Sequence, residues 1–310
     1  MFGTTAESSV QSAPVTRSPG IFSAYSVLTK VRLNALVLMT TSVGFLLAPV
    51  EGIDWKAFFW TMLGTALAAC SASAFNQMME VNRDRRMPRT KNRPLPTGSL
   101  SMAHALVVAV VTGYAGVTIL AVLVNFAAAA LALATILIYT IFYTPMKVRS
   151  TLNTVVGAVC GALPPMIGWV AAGGPLNAAS MVLPTILFVW QFPHFFALAW
   201  LYRTDYGTGG FKMLPVIDES GRITAQVCVV TSLMLIPLCL LATLLGVAGF
   251  FSAICATLLG LLMSGVAVQF MKNRTDRAAR RLFLASISYL PILLAVLVID
   301  RGPAAPMLLH

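Results

Sequence analysis

The chain has 310 residues, 58% of them hydrophobic and 10% charged, and a formal net charge of +11. Its mean hydropathy is +0.85; soluble domains carry about 25% charged residues, so the composition excludes a water-soluble globule and points to an integral membrane protein. The basic excess does not call for nucleic acid, because basic residues of a membrane protein gather in its cytoplasmic loops. Cys70, Cys160, Cys228, Cys239 and Cys255 all lie in apolar runs and form no C-x-x-C pair. They read as small buried side chains rather than as a disulfide framework or a zinc site.

In chain order, residues 1–24 are expected to be a flexible cytoplasmic tail, rich in Ser, Thr, Pro and Ala at its start and without the apolar run of a secretory signal. Residues 25–302 form one transmembrane domain, and 303–310 a short C-terminal tail. The apolar runs predict an all-α, polytopic membrane protein of about nine spans: 33–50, 55–79, 103–121, 125–143, 152–171, 180–200, 224–243, 246–270 and 282–300. Each is close to the roughly 20 residues that cross a bilayer as a helix. The third and fourth spans meet near Val124–Asn125, and the seventh and eighth near Gly246. Prolines and glycines in 157–169 predict a kinked fifth span, a pattern that serves cavity lining and close helix packing equally well.

With the N-terminus in the cytoplasm, 19 of the 21 basic residues fall on the cytoplasmic side, and only Lys56 and Arg301 lie opposite. So skewed a split sets the orientation. It also makes the acids informative. Glu80, Asp84 and Asp205 stand at or just past the ends of spans, where an ionisable group is costly and marks function. Asp276 reads as a local partner of the bases around it, and Asp218 and Glu219 as part of a turn at Gly221.

The stretch from Asn76 to Gly98, NQMMEVNRDRRMPRTKNRPLPTG, holds the densest chemistry. Asn76, Glu80 and Asp84 recur at i, i+4 and i+8 and so share one face of a helix. Two carboxylates and an amide oxygen in a column are hard ligands of the kind Mg²⁺ takes together with substrate phosphates. The bases that follow could hold phosphate oxygens. A plain topogenic loop would explain the arginines but not the shared face of the acids.

A second constellation, WQFPHFFALAWLYRTDYGTGGFKMLP, covers 190–215. His194 lies deep in a span, where it reads either as a hydrogen-bonded core residue or as a ligand. Asp205 follows eleven residues later, about three turns on a continuous helix. Gly209 and Gly210 could let backbone amides approach an anion. Acidic clusters end the second and sixth spans and basic loops end the fourth and eighth. This recurrence predicts two four-helix repeats around a central cavity, plus one extra helix.

The pattern N-x-x-x-E-x-x-x-D-x-x-M-x-R-T-x-x-R-P-L-P-x-G over 76–98 resembles the heme O synthase family of UbiA-type intramembrane prenyltransferases. YTPMKVRSTLNTVVGAVCGALPPMIGW at 143–169, WQFPHFFALAWLYRTDY at 190–206 and GGFKMLP at 209–215 are similar to the same family. The likeness spans about residues 25–300. The chain departs from many relatives at Thr204, where they carry an acid, so that Asp205 is the only carboxylate at that point.

The resemblance implies transfer of a farnesyl group from farnesyl diphosphate to a vinyl group of heme B, with addition of water, giving heme O and diphosphate. It implies Mg²⁺ held by Asn76, Glu80, Asp84 and Asp205. Arg89, Lys91, Arg93, Lys147, Arg149 and Lys212 would bind the diphosphate, and His194 would hold heme B, a substrate rather than a resident cofactor. The expected setting is a bacterial inner membrane, less so a mitochondrial one, with the site on the cytoplasmic side. The bilayer and the next enzyme of heme A synthesis are expected partners. A prenyltransferase acting on a quinone or chlorophyll precursor, and a transporter of an anionic lipid, are the alternatives.

Overall fold

The computed structural model describes residues 20–302; most of the two expected tails, 1–19 and 303–310, lies outside the described residues. The chain runs through α1 (Ile21–Leu28), α2 (Val31–Leu47), α3 (Trp55–Asp84) and the single turn α4 (Pro94–Thr97). It continues through α5 (Met102–Leu123) and α6 (Phe126–Leu137), then a π-helical turn, Ile138–Tyr143, that leads into α7 (Thr144–Met146). The second half holds α8 (Asn153–Ala171), α9 (Ala178–Leu201), the short α10 (Arg203–Thr208) and α11 (Leu214–Ile217), α12 (Arg222–Leu244), α13 (Phe250–Asn273) and α14 (Asp276–Ile299).

Among the described residues, eight helices are long and apolar enough to cross a membrane, and with the bent pair α1–α2 taken as one span there are nine. The chain is thus an integral membrane protein with the expected number of spans. The expected tail to residue 24 ends sooner, because α1 is already helical from Ile21. Large apolar side chains such as Val107, Val111, Phe126 and Leu262 are exposed and form the lipid-facing belt.

α3 has 30 residues, about 45 Å at 1.5 Å per residue, and outruns a hydrocarbon core of about 30 Å. The helix continues unbroken past the predicted span end at residue 79, through Glu80 and Asp84. Its buried face is polar, with Thr61, Thr65, Ser71, Ser73, Asn76, Gln77, Glu80 and Asp84 turned inward. This is the expected inversion for a membrane helix, since lipid accepts the apolar face and polar groups need protein partners.

Lipid gives no hydrophobic drive for helix association, so close packing has to supply it. Gly44 on α2 sits against the backbone of Pro165 on α8, and Gly168 on α8 against the carbonyl of Thr41. A Cβ at either glycine would overlap the facing main chain. The run at 157–169 therefore does both things its composition allowed. One face lets α2 and α8 touch backbone to backbone. Gly157, Cys160, Gly161 and Pro164 line a cavity on the other.

Two polar ties fix the ends of this framework. At the α1–α2 break, Nε2 of Gln77 donates to the carbonyls of Val27 (2.6 Å) and Leu28 (2.9 Å), and Nδ2 of Asn34 donates to the Thr29 carbonyl at 2.7 Å. The break is thus held from α3. At the opposite end, Arg301 donates to the Ala48 carbonyl at 2.7 Å, and Asp300 accepts from the Ser252 amide at 2.6 Å. Asp276 does not serve bases in its own segment. It accepts from Arg203 (2.7 Å) and from the Trp200 indole (3.0 Å), tying the start of α14 to the end of α9.

The backbone contact between α2 and α8 gives a stability prediction. Gly168→Val should destabilise the protein by about 1–3 kcal/mol or more, because a main-chain carbonyl cannot step aside for the new side chain. The unfolding midpoint in detergent reads this out, and an unchanged midpoint contradicts the packing argument.

Candidate functional site

One cavity of about 420 Å³ runs from the polar end of α3 into the helix bundle. Its size falls within the range of about 300–1,000 Å³ common for small-molecule sites. Asn76, Glu80, Asp84, Lys30, Arg89, Thr90, Arg93 and Lys147 line its mouth. Further in, the wall becomes mainly apolar and aromatic, with Val37, Tyr139, Leu187, Trp190, Phe195 and Leu290.

The helical column of Asn76, Glu80 and Asp84 is present as the sequence pattern predicts, and all three side chains reach the same cavity. Each has a basic partner. Lys30 Nζ donates to Asn76 Oδ1 at 2.6 Å. Lys147 Nζ donates to Glu80 Oε1 at 2.8 Å, and Arg93 donates to Asp84 Oδ2 at 2.7 Å. Burial works against the Lys147 ammonium, but the Glu80 carboxylate outweighs it and holds the Lys147 pKa well above the ordinary lysine value.

The amide of Asn76 is oriented by its neighbours. Thr144 commits its hydroxyl proton to the Tyr139 carbonyl at 2.8 Å, a bond of the π-helical turn. Its oxygen then accepts from Asn76 Nδ2 at 3.2 Å. That leaves Asn76 Oδ1 toward Lys30 and the cavity. The π turn also brings Tyr139 and Tyr143 onto the cavity wall with ring centroids 5.0 Å apart, in keeping with the frequent use of π turns at functional sites.

Asp84 Oδ1 is buried and has no hydrogen-bond partner among the described residues. A buried carboxylate oxygen left so is costly unless something else satisfies it. Together with Glu80 and the Asn76 amide oxygen, it forms a donor set suited to a hard divalent cation. Among the described residues, no three His, Cys, Asp or Glu groups converge on one point, so the set consists of two carboxylates and an amide.

Asp205 is not part of that wall, contrary to the expected four-ligand set. A continuous helix beyond His194 would set Asp205 about three turns further on. Instead α9 ends at Leu201, the backbone turns at Tyr202, and Asp205 lies in the first turn of the separate helix α10. Its neighbour Tyr206 lines the cavity in its place.

The basic residues divide in the same way. Arg89, Arg93 and Lys147 line the cavity, whereas Lys91, Arg149 and Lys212 do not. The backbone of Lys212 is structural: its amide donates to the Lys147 carbonyl at 2.7 Å and so positions Lys147. Gly209 and Gly210 offer no amides to an anion. Their N–H groups bond to the carbonyls of Asp205 and Gly207 within the local turn. The arginine of Arg89 lies over the rings of Tyr202 (4.9 Å) and Tyr206 (5.8 Å), which fixes it at the rim.

Lys30 is the clearest residue that sequence reasoning assigned only to topology. It caps the start of α2 in a left-handed conformation (φ 51°, ψ 49°), a backbone state unusual for a side chain other than glycine. Its signal was a lysine one turn inside an apolar approach to the membrane. Tyr139, Tyr143, Thr144 and Gln191 gave no polar pattern that sets them apart from other buried residues.

His194 lines the deep part of the cavity. Its ring stacks on Trp190 with centroids 4.8 Å apart and lies 5.0 Å from Phe283. Nδ1 is 2.9 Å from Ser286 Oγ, and Ser286 spends its own proton on the Phe283 carbonyl at 2.7 Å. The proton between His194 and Ser286 therefore belongs to Nδ1, which leaves Nε2 with a free lone pair.

The model of the UbiA prenyltransferase family matches residues 37–290. A protoheme IX farnesyltransferase of Koribacter versatilis (strain Ellin345) is 40% identical, and the match covers 91% of this chain and 96% of that protein. The mitochondrial protoheme IX farnesyltransferase of Arabidopsis thaliana is also 40% identical over 89% of this chain; the chain spans 64% of that longer protein. Among solved structures, a UbiA homolog from Archaeoglobus fulgidus bound to GPP and Mg²⁺ has a TM-score of 0.64 at 15% identity. That match covers 89% of this chain and 99% of the homolog, and it establishes the shared fold.

The ion pairs at the mouth are testable in the protein alone. Glu80→Gln leaves the Lys147 ammonium without its carboxylate and should cost about 3 kcal/mol, the low end for a broken buried pair because the cavity is open at its mouth. Adding Lys147→Met to it should recover part of the loss. Thermal unfolding of both variants checks the coupling, and a single variant as stable as the parent would refute it.

Proposed function

The chain belongs to the UbiA prenyltransferase family, and from that premise we propose that it transfers a farnesyl group from farnesyl diphosphate to a vinyl group of heme B, with addition of water, to give heme O and diphosphate. Relatives that carry the name protoheme IX farnesyltransferase at about 40% identity support the substrate pair. The observation that carries the reading is one cavity with a charged mouth and an apolar aromatic interior, joined without a partition. A farnesyl diphosphate has the same division between its head and its chain.

Asn76, Glu80 and Asp84 would hold Mg²⁺ at the mouth, a reading supported by the free Asp84 oxygen and by the Archaeoglobus relative bound to GPP and Mg²⁺. Bound Mg²⁺ supplies positive charge against the leaving diphosphate. Arg89, Arg93, Lys147 and Lys30 bind its oxygens, and Arg93, Lys147 and Lys30 must release their present carboxylate and amide partners to do so. Lys91, Arg149 and Lys212, outside the cavity, would contribute only to the field that draws the anion in. Asp205 stands in the same outer position; a metal role for it requires α10 to turn inward when substrate binds.

The apolar interior keeps bulk water from the allylic cation while the vinyl carbon attacks. His194 holds the porphyrin through Nε2 on the iron, its ring fixed by Ser286 and Trp190. The basic residues of the loops support a mouth on the cytoplasmic face, which in a bacterium would be that of the inner membrane.

Anaerobic assay of membranes with heme B and farnesyl diphosphate tests this directly. A more apolar heme should form, and EDTA should stop its formation until Mg²⁺ is restored. Asp84→Asn should lower turnover by about 100-fold without loss of the folded protein. In sealed vesicles, farnesyl diphosphate should act only from the cytoplasmic face. Full activity in EDTA, or an unmodified heme, overturns the proposal.

His194→Ala separates iron ligation from packing. The purified variant should bind heme B more weakly and show an altered Soret band, with its affinity for farnesyl diphosphate unchanged. A lower unfolding midpoint with an unaltered heme spectrum would reduce His194 to a core residue.

A further inference from the structure

The proposed reaction has a step that the charged mouth cannot serve. Once the vinyl group has attacked, the cation sits on the carbon beside the porphyrin ring, in the apolar interior. A water molecule must reach it there before a proton is lost to give an alkene. We propose that Gln191 positions that water; this rests on the farnesyl transfer to heme B proposed above.

Gln191 lies on α9, buried and on the cavity wall, three residues before His194. Residues at i and i+3 share a helix face, about 5–6 Å apart at their β-carbons. A group that holds the iron and a group at the ring edge would stand in that relation. Nε2 of Gln191 donates to the carbonyls of Ala158 and Leu187, both at 3.0 Å. Two carbonyl acceptors can be met only by the NH₂ end, so the amide is fixed with Oε1 on the other side. Oε1 accepts no hydrogen bond from the described residues.

Fold stability does not call for this side chain. The two carbonyls lie inside helices, and the residues four further on, Ala162 and Gln191, have N–H groups of their own. A glutamine in a membrane span is costly compared with an apolar side chain of the same length. What the arrangement leaves is an immobile acceptor in an apolar chamber.

The facing wall of α8 is built around it. Gly161 stands so close to Oε1 that any Cβ there would overlap the amide. Pro164 and Pro165 supply no N–H to the carbonyls of Cys160 and Gly161, four residues earlier in the same helix. Both residues line the cavity. A water held between α8 and α9 would have Gln191 Oε1 and a helix carbonyl freed of its N–H as acceptors for its two protons. Its lone pair is left for the cation.

The bond from the farnesyl carbon to the diphosphate oxygen breaks, and its electron pair leaves with the diphosphate. The terminal vinyl carbon bonds to the farnesyl carbon with its π pair. The held water then bonds to the ring-side carbon and gives one proton to the released diphosphate, leaving a hydroxyl.

Gln191→Met keeps the length and removes the acceptor. With heme B and farnesyl diphosphate, the parent protein should give the hydroxylated product, labelled when the water is isotopically labelled. The variant should still form the carbon–carbon bond, with the ratio of hydroxylated heme to the alkene one water lighter lowered by about tenfold or more. Gly161→Ala, which displaces the amide oxygen without removing it, should shift the ratio in the same direction and decides the question if Gln191→Met does not fold. A parent-like ratio in folded Gln191→Met, or in Gly161→Ala when the first variant does not fold, overturns the role of Gln191. So does a folded variant that makes neither product, since carbon–carbon bond formation would then need Gln191 too. If the parent protein farnesylates no heme, the functional reading itself fails.

Discussion

The site depends on charge balance along the last turns of α3. Two carboxylates and an amide stand in a column where the helix leaves the membrane. An unpaired charge there would be expelled or neutralised. Lys30, Arg93 and Lys147 prevent this, and each comes from a different part of the chain. The column therefore draws the α1–α2 break, the loop after α3 and the α7–α8 connection to one point. Asp84 Oδ1 stays buried without a hydrogen-bond partner among the described residues. The folded protein thus tolerates the acids at the mouth of the cavity.

The remainder of the bundle keeps that point at the end of an open chamber. Glycines let α2 and α8 meet at backbone distance, and the cost of small side chains is offset by close packing where hydrophobicity gives no drive. The π turn shifts the face of α6 so that two tyrosines and Thr144 arrive at the column instead of at the lipid. The π turn is a local departure from ideal helix geometry, and it borders the cavity. The regular helices on the periphery, such as α5 and α13, present valine, leucine and phenylalanine to the bilayer.

Polarity then grades along the cavity. Its mouth is cationic and anionic by turns, and its interior is apolar except at a few fixed groups. Each of those groups is oriented by a bond that uses its other end: Gln191 through its NH₂, His194 through Nδ1. A polar atom held in this way loses little entropy when a ligand meets it. Such preorganisation suits a reaction in which a cation must be shielded from solvent and yet captured by one water.

Much of this protein was legible in its sequence, because membrane helices are local objects. Length and hydropathy define them, and the i, i+4, i+8 spacing of Asn76, Glu80 and Asp84 is a property of any helix. The family motif could be read for the same reason, as a run of neighbours. What the tertiary structure alone decided concerns groups far apart in the chain. Lys30 reaches Asn76 only because Gln77 holds the break before α2, and Asp205 falls away from the cavity because the helix stops at Leu201. The orientation of Gln191 and His194 comes from carbonyls and a serine on other turns and other helices. Sequence periodicity shows which face a side chain occupies, but the direction of its hydrogen-bonding atoms is set by partners that only folding brings near.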